Sequence, residues 1–439
     1  MSKLLIRKGF YVETLKSELP SITLLPNTAD YEEARRGFWA AEQQRIKSGG
    51  HGRCEGESSI SNGVLIDLKR LDNPRLSEDK SSCTVGPGNT WAKVYALLNP
   101  QGHTVIGGRA STVGVGGFCA LDNVLSFEVA LADGSIVQAN INSHPDLYKA
   151  LRGGGANFGV VTNLDLKVYL YEGMWGGGVS WAWEHGDALI DAFLEYGRDN
   201  LRNQVIFGVI AHEGQWVWYC DLEHLKPTPP EPDSVLKRFL DIPTLLNETG
   251  PTSQLQRTDG INDHYPPGSY NGYWTFCTQV DKRIIRFFMD TWRTKVTPLL
   301  DIEGLDRSAL ADINFVPRSV VDAMKRNGGN ALGIASKEPF LLFLMELYWM
   351  KAEDGPRVWN AQRVTAEKTQ GLARELGLHH EYIYLNYANL YQDVYSGYGD
   401  EAKRFLKAVS AKYDPSGMFQ HQRGAGWYLK GPIKSLSPP

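Results

Sequence analysis

Lys47-Ser48-Gly49-Gly50-His51 sets an imidazole at the end of a turn with little side-chain bulk. Two successive glycines let the backbone take positive φ and come close to a ligand, so that several N–H groups can converge on an anion such as a pyrophosphate. Three more glycine clusters follow, at Val85-Gly86-Pro87-Gly88-Asn89, across Val105 to Gly117, and at Arg152-Gly153-Gly154-Gly155-Ala156-Asn157-Phe158-Gly159. Each is flanked by apolar, β-branched residues, the pattern of strands that end in tight turns. Several bare strand ends suit a large polyanionic ligand better than a small one. None has the G-x-G-x-x-G spacing of a dinucleotide fold or the Lys-Ser/Thr of a P-loop, so a different nucleotide-binding fold is expected.

The elements that must position these turns read as follows. Up to about residue 169 the chain alternates short β-rich runs with glycine turns, with helical pieces near Asp30 to Gln44 and Trp91 to Leu98. The pattern changes at Tyr171 to Gly178, after which long amphipathic helices alternate with aromatic strands. Asp187 to Arg198 places Leu189, Ile190, Phe193 and Leu194 on one face, and Asp281 to Lys295 does the same with Ile284, Ile285, Phe288, Met289 and Trp292. Val205 to Ala211 and Trp216 to Cys220 read as a hairpin, Phe340 to Trp349 as a third strand and Tyr382 to Tyr387 as a fourth. Further helices are expected over Val358 to Leu376 and Glu401 to Tyr413, and Lys226 to Pro232 is a proline-rich exposed loop.

Composition bounds the function. The chain has 439 residues, 42% hydrophobic and 22% charged, enough for two packed domains. Its 46 basic and 50 acidic residues leave a net charge of −4 without a basic block, which argues against nucleic acid. The 5 cysteines lack metal-binding spacing and do not form a disulfide framework, although one bridge would be compatible with them. The N-terminus has no secretory apolar core and no run is long enough for a membrane span, so the expected location is the cytoplasm. An aromatic content of 11% fits packed sheets or a pocket for a flat organic molecule.

Taken together, the run from Lys47 to Thr162, with Gly63 to Leu68 and Leu131 to Ser135 between the clusters, resembles the flavin domain of the berberine-bridge-enzyme-like oxidases of the vanillyl-alcohol-oxidase group. Tyr384-Leu385-Asn386-Tyr387-Ala388 and Lys412 to Phe419 are similar to that family's C-terminal signature. The likeness is greatest to fungal secondary-metabolite members. It implies an α+β, two-domain FAD-binding fold: a discontinuous FAD domain, residues 1–170 rejoined by 396–439, and an inserted substrate domain, residues 171–395, with an antiparallel sheet backed by helices.

The resemblance also implies a site. Ser48, Gly49, Gly50 and His51 would hold FAD, with His51 the point of a covalent link. Gly86 and Gly88 match a turn near the cofactor, Val113, Gly114 and Gly117 the segment beside its ring, and Gly159, Val160 and Val161 its adenosine end. Asn386 and Tyr387 match the pair that approaches the ring from the other side. Tyr387, or Tyr384 just before it, is the expected base or substrate orienter. A phenol of ordinary pKa near ~10 would have to be made more acidic to serve as base. His264, Glu346 and His380 are further pocket candidates.

Two departures stand out. Gly117-Phe118-Cys119-Ala120-Leu121 lacks a glycine-rich aromatic segment that relatives carry before the equivalent of Asp122-Asn123-Val124, and Gln43-Gln44-Arg45-Ile46 joins elements between which relatives place a βαβ unit. The expected function is oxidation of a small organic substrate, with hydride passing to FAD and O2 as electron acceptor. The alternative is a flavin-deficient, non-redox relative acting as a cyclase or binding protein.

Overall fold

A computed structural model describes residues 23–24, 46–47, 52, 65–117, 122–198, 203–262, 268–421 and 426–429. The first lobe holds two sheets. A small one has the order β1-β3-β2, from β1 (Thr23–Leu24), β2 (Ile46–Lys47) and β3 (Leu65–Asp67), with β2 parallel to β3. The larger runs β4-β5-β9-β7-β8, from β4 (Arg75–Leu76), β5 (Ser82–Val85), β7 (Val124–Ala130), β8 (Ile136–Asn140) and β9 (Val160–Leu170). The strand β6 (His103–Val105) also pairs with β9. Helices α1 (Trp91–Leu98) and α2 (Pro145–Leu151) lie where the glycine-bounded segments allow them.

The second lobe is one antiparallel nine-stranded sheet, ordered β13-β10-β12-β11-β16-β17-β15-β18, with β14 paired to β10. Its strands are β10 (Met174–Trp181), β11 (Asn203–His212), β12 (Gln215–His224), β13 (Leu246–Asn247), β14 (Gly250–Thr252), β15 (Tyr270–Gln279), β16 (Leu310–Val316), β17 (Phe340–Trp349) and β18 (His379–His380). The β11–β12 hairpin turns at Glu213 and Gly214, both at positive φ (48° and 75°), which keeps the turn's twist matched to that of its strands.

Helices α3 (Gly186–Arg198), α4 (Val235–Leu240), α5 (Gln254–Asn262), α6 (Lys282–Val296), α7 (Arg318–Lys325) and α8 (Gly355–Glu375) connect these strands. Asp281 caps α6, its side chain accepting a hydrogen bond from the Arg283 N–H at 2.8 Å. The apolar stripes of α3 and α6 bury Phe193 against Phe207, 4.5 Å between ring centres, and Phe288 against Phe343, 4.9 Å. Each such side chain contributes roughly 1.5–3 kcal/mol of burial.

Strand periodicity then decides what the other face of the sheet carries. Phe207 and Val209, Trp218 and Cys220, Ala311 and Ile313, and Phe343 and Met345 all belong to the core under the helices. Their alternates must therefore point the opposite way: Tyr219, Asp221 and Glu223 on β12, Asp312 and Asn314 on β16, Glu346 and Tyr348 on β17, and Tyr273 on β15. Phe340 and Leu342 of that face join the first lobe's core, together with Trp91, Tyr95 and Phe127. The last long helix, α9 (Gly399–Tyr413), returns to the first lobe, where Lys412 Nζ and Tyr413 Oη reach Asp146 of α2 at 2.6 and 2.8 Å.

One expected strand is absent. Tyr382 to Tyr387 does not join the sheet: β18 ends at His380, and Leu385–Tyr387 form a short 3₁₀ turn. Asn389 and Gln392 pull this segment inward by bonding the Tyr273 and Thr275 carbonyls at 2.9 and 2.7 Å. The helix expected near Asp30 to Gln44 lies outside the described residues. Cys83, Cys220 and Cys277 are buried and free, while Cys54 and Cys119 lie outside the described residues. Among the described residues no helix is long and apolar enough to cross a membrane.

Gly208 of β11 lies opposite Asp312, and a Cβ there would stand 2.3 Å from the Ala311 carbonyl oxygen. Gly208→Ala should therefore destabilise the chain by about 1–3 kcal/mol in urea unfolding, since backbone has to move to admit the methyl group. An unchanged midpoint would show that the sheet yields there without strain.

Candidate active site

The polar face of the nine-stranded sheet meets the glycine-rich loop after β6. Arg109, from Gly107-Gly108-Arg109, reaches across: its Nη2 donates to the Tyr387 hydroxyl oxygen at 2.8 Å and its Nη1 to Asn314 Oδ1 at 2.7 Å. Asn314 Nδ2 in turn donates to Asp312 Oδ1 at 3.1 Å. Gly107 and Gly108 allow this reach because a Cβ at either would stand 2.3–2.4 Å from the Trp91 ring, so only bare backbone can pass over it. Asn386 makes a second crossing, donating from Nδ2 to the Gly117 carbonyl at 2.5 Å and to the Tyr384 hydroxyl at 2.8 Å.

Around these bridges lie four carboxyl groups. Glu346, 3% exposed, receives hydrogen bonds from the hydroxyls of both Tyr273 and Tyr348. The Tyr273 ring meets Tyr387 edge-on at 6.4 Å, and Tyr384 meets it edge-on at 4.9 Å. Asp221, 1% exposed, pairs with Arg257 of α5, and Glu223 follows on the same strand face.

Among the described residues two arginines, Arg109 and Arg257, face these four carboxyls, and burial dominates their acidity. Burial pushes the Asp312 carboxyl up to about 7, Arg109 and Asn314 opposing and Glu346 adding to the rise. Burial and the adjacent Asp221 push Glu223 up to about 8 against the pull of both arginines. Tyr387 is also raised: burial outweighs Arg109, and Asp312 and Glu346 add to it. Arg109 is held firmly protonated, because Tyr387, Asp312 and Glu223 together outweigh its own desolvation.

The residues expected from sequence are distributed unevenly around this cluster. Gly117, Tyr384, Asn386 and Tyr387 meet in it. Val113 and Gly114 border α1, the Val113 carbonyl accepting from the Trp91 N–H at 3.0 Å and Gly114 bridging Thr90. Gly86 and Gly88 sit where a Cβ would lie 2.2 and 2.4 Å from the Leu71 and Leu68 carbonyl oxygens, so close backbone packing requires both. Gly159 precedes β9, whose first residues Val160 and Val161 pair with Ala130 and Val129 of β7. Ser48, Gly49, Gly50, His51 and His264 lie outside the described residues, as do Phe118 to Leu121 and Gln43 to Arg45 at the two shortfalls. Glu346 enters the cluster, whereas His380 stacks on Phe340 at 4.6 Å and accepts from the Tyr382 N–H.

Arg109, Asp312, Asn314, Tyr273, Asp221 and Glu223 escaped the sequence reading. For the strand carboxyls and Asn314 the signal was polar residues at period two inside apolar strands, in Tyr219-x-Asp221-x-Glu223, Asp312-x-Asn314 and Glu346-x-Tyr348.

This geometry can be set beside known proteins. Residues 39–140 match the FAD binding domain family. An FAD-dependent monooxygenase of Cochliobolus heterostrophus, tpcD, is 30% identical over 408 residues, covering 85% of this chain and 77% of its own length. This chain belongs to the berberine-bridge-enzyme-like FAD-linked oxidoreductases. It is an FAD-dependent enzyme with the two-domain α+β fold of that group. The solved structure of BBE-like 1 from Physcomitrella patens superposes with a TM-score of 0.73, covering 97% of this chain and 100% of that one at 16% identity. For 6-hydroxy-D-nicotine oxidase from Arthrobacter nicotinovorans the TM-score is 0.68, covering 90% and 96%, again at 16%.

Gly117, Asn386 and Tyr387, which the resemblance assigns to the ring end of FAD, lie together here. A Cβ at Gly117 would stand 3.5 Å from the Asn386 amide, so the backbone there lies directly beside that side chain. Two motifs 269 positions apart in sequence are thus joined by a direct hydrogen bond.

Asp312 gives this site a measurable signature. Its folded-state pKa lies above the ~4 of an unfolded carboxyl, so between about pH 4 and 7 the folded chain keeps a proton that the unfolded chain has released. The stability it contributes is full below that window and lost as pH rises through it, by an amount on the order of a few kcal/mol. Thermal unfolding of Asp312→Asn should therefore decline less than that of the parent between about pH 5 and pH 8.5. Parallel profiles for the two proteins would mean that Asp312 is ionised without penalty.

Proposed function

We propose that this FAD-dependent oxidoreductase is an oxidase acting on a small organic intermediate of secondary metabolism, with O2 as the electron acceptor. The observation that carries this reading is the Arg109–Tyr387 bridge, which sets a phenol between the glycine-rich loop and a row of carboxyls. FAD, when bound, accepts the hydride. Ser48, Gly49, Gly50 and His51 would hold its pyrophosphate and ring edge, with His51 the residue that would carry a covalent link. Gly86, Gly88, Val113, Gly114, Gly117, Gly159, Val160, Val161 and Asn386 complete the contacts.

Of the two roles that the sequence left for Tyr387, the site favours orientation over proton abstraction, because the phenol is raised rather than lowered. As a neutral donor it hydrogen-bonds the oxygen or nitrogen that is being oxidised, with Tyr384 packed against it. The proton leaving that heteroatom passes to a carboxylate, and we assign this to Asp312, which shares the Arg109–Asn314 network with Tyr387 and is pushed up to about 7. The substrate thus loses a hydride from carbon and a proton from its heteroatom as the double bond forms. O2 then takes up two electrons and two protons and leaves as H2O2.

Relatives named monooxygenases supply the second reading, in which an oxygen atom enters the product. Turnover under isotopically labelled O2 separates the two. The oxidase reading expects one H2O2 per product and no label in the product, and label in the product would decide for the monooxygenase. For Tyr387→Phe we expect flavin reduction to slow by about 10²-fold with flavin content retained. Unchanged reduction removes Tyr387 from the chemistry. His51→Ala should release its flavin on acid precipitation while the parent pellet stays yellow, and flavin released from both would show that it is held without a covalent bond.

A further inference from the structure

We infer that Arg109 is the positioning residue for Tyr387: it occupies the phenol oxygen from the side of the glycine-rich loop and leaves the O–H as a donor for an acceptor atom on the substrate. The inference rests on the oxidase reading only for what that acceptor belongs to. Its geometric basis is independent of it.

Tyr387 Oη accepts from Arg109 Nη2 at 2.8 Å, and among the described residues no acceptor takes the Tyr387 hydroxyl proton. A half-buried phenol in this state has one hydrogen-bonding direction spent and one in hand. Nearby hydroxyls are committed elsewhere: those of Tyr273 and Tyr348 donate to Glu346, and that of Tyr384 accepts from Asn386. Tyr387 thus keeps its O–H in hand for a ligand.

Arg109 is itself held in place. Asn314 Oδ1 takes its Nη1 at 2.7 Å, and Asn314 Nδ2 is fixed by Asp312 two residues earlier on the same strand, so one edge of β16 aims the guanidinium. A planar fork with fixed donors can hold a neighbour's orientation as a flexible ammonium cannot. The fork also reaches Tyr387 from a loop whose two preceding glycines cannot take a side chain over Trp91, so its approach is fixed by packing.

The charges facing Tyr387 are Arg109 from the loop, Asp312 from β16 and Glu346 from β17, and only the first favours an ionised or strongly donating phenol. Removing it should leave Tyr387 with two carboxyls and no counter-charge.

The test uses the full-length, flavin-loaded protein with a trifluorinated tyrosine in place of Tyr387, whose ionisation is followed by fluorine NMR as pH is raised. It needs no substrate and no turnover, so a failed oxidase reading leaves its outcome interpretable. In Arg109→Met the titration should move up by about one pH unit or more, the effect of losing an opposite charge in direct contact. Arg109→Lys, which keeps the charge but loses the fork, should fall between Met and parent. A titration unchanged in Arg109→Met, or moved down, overturns the proposal. Should Arg109→Met fail to accumulate, Asn314→Leu decides, because it removes only the acceptor that aims Arg109: a smaller upward displacement supports the proposal, and none overturns it.

Discussion

The bridge from Arg109 to Tyr387 and Asn314 is the interaction on which the site depends, because it crosses from the glycine-rich loop to the polar face of the nine-stranded sheet. Each partner is useless alone. The guanidinium needs a dry, anion-rich surface to be worth more than it would be in water, and that surface needs a cation to be tolerated. The fold supplies both by bringing residues 205 and 278 positions apart within hydrogen-bonding distance.

What makes the surface anion-rich is the two-sidedness of a strand. The apolar alternates of β11, β12, β16 and β17 are committed to the core beneath α3, α6 and α8, so their polar alternates have no choice but the opposite face. A one-residue slip would bury Asp221, Asp312 and Glu346 under helices that offer no partners. Site and core therefore specify the register of the sheet together. Gly208 opposite Asp312 and Gly176 and Gly178 opposite Glu223 and Asp221 keep side-chain bulk away from the carboxyls.

The first lobe works differently. Its glycines serve backbone approach: Gly86 and Gly88 pack on the chain at Leu71 and Leu68, and Gly107 and Gly108 on the Trp91 ring. The same absence of side chains suits the edge of a cofactor. The Asn386 side chain is anchored on the Gly117 carbonyl of this loop. The turn at Leu385–Tyr387 matters here, since a strand through these residues would have pointed Tyr387 and Asn386 to opposite faces rather than toward one space.

The sequence by itself determined the family, the cofactor and the class of fold, because glycine clusters at strand ends and an ordered C-terminal signature are local features, readable in chain order. It also determined most helices and the β11–β12 hairpin, whose apolar periods of 3.6 and 2 are set by short-range geometry. Asn386, Tyr384 and Tyr387 were legible as a motif, but their neighbours were not. Arg109 read as one residue in a glycine run, and β15 and β16 passed unnoticed, although they carry Tyr273, Asp312 and Asn314. Only the tertiary structure decided that these residues share one surface with Glu346, and that burial there raises the Tyr387 phenol and leaves Asp312 near neutrality. The physical reason is that a pKa and a hydrogen-bond partner depend on what is packed within a few ångströms, and here those neighbours come from strands that sequence order keeps far apart.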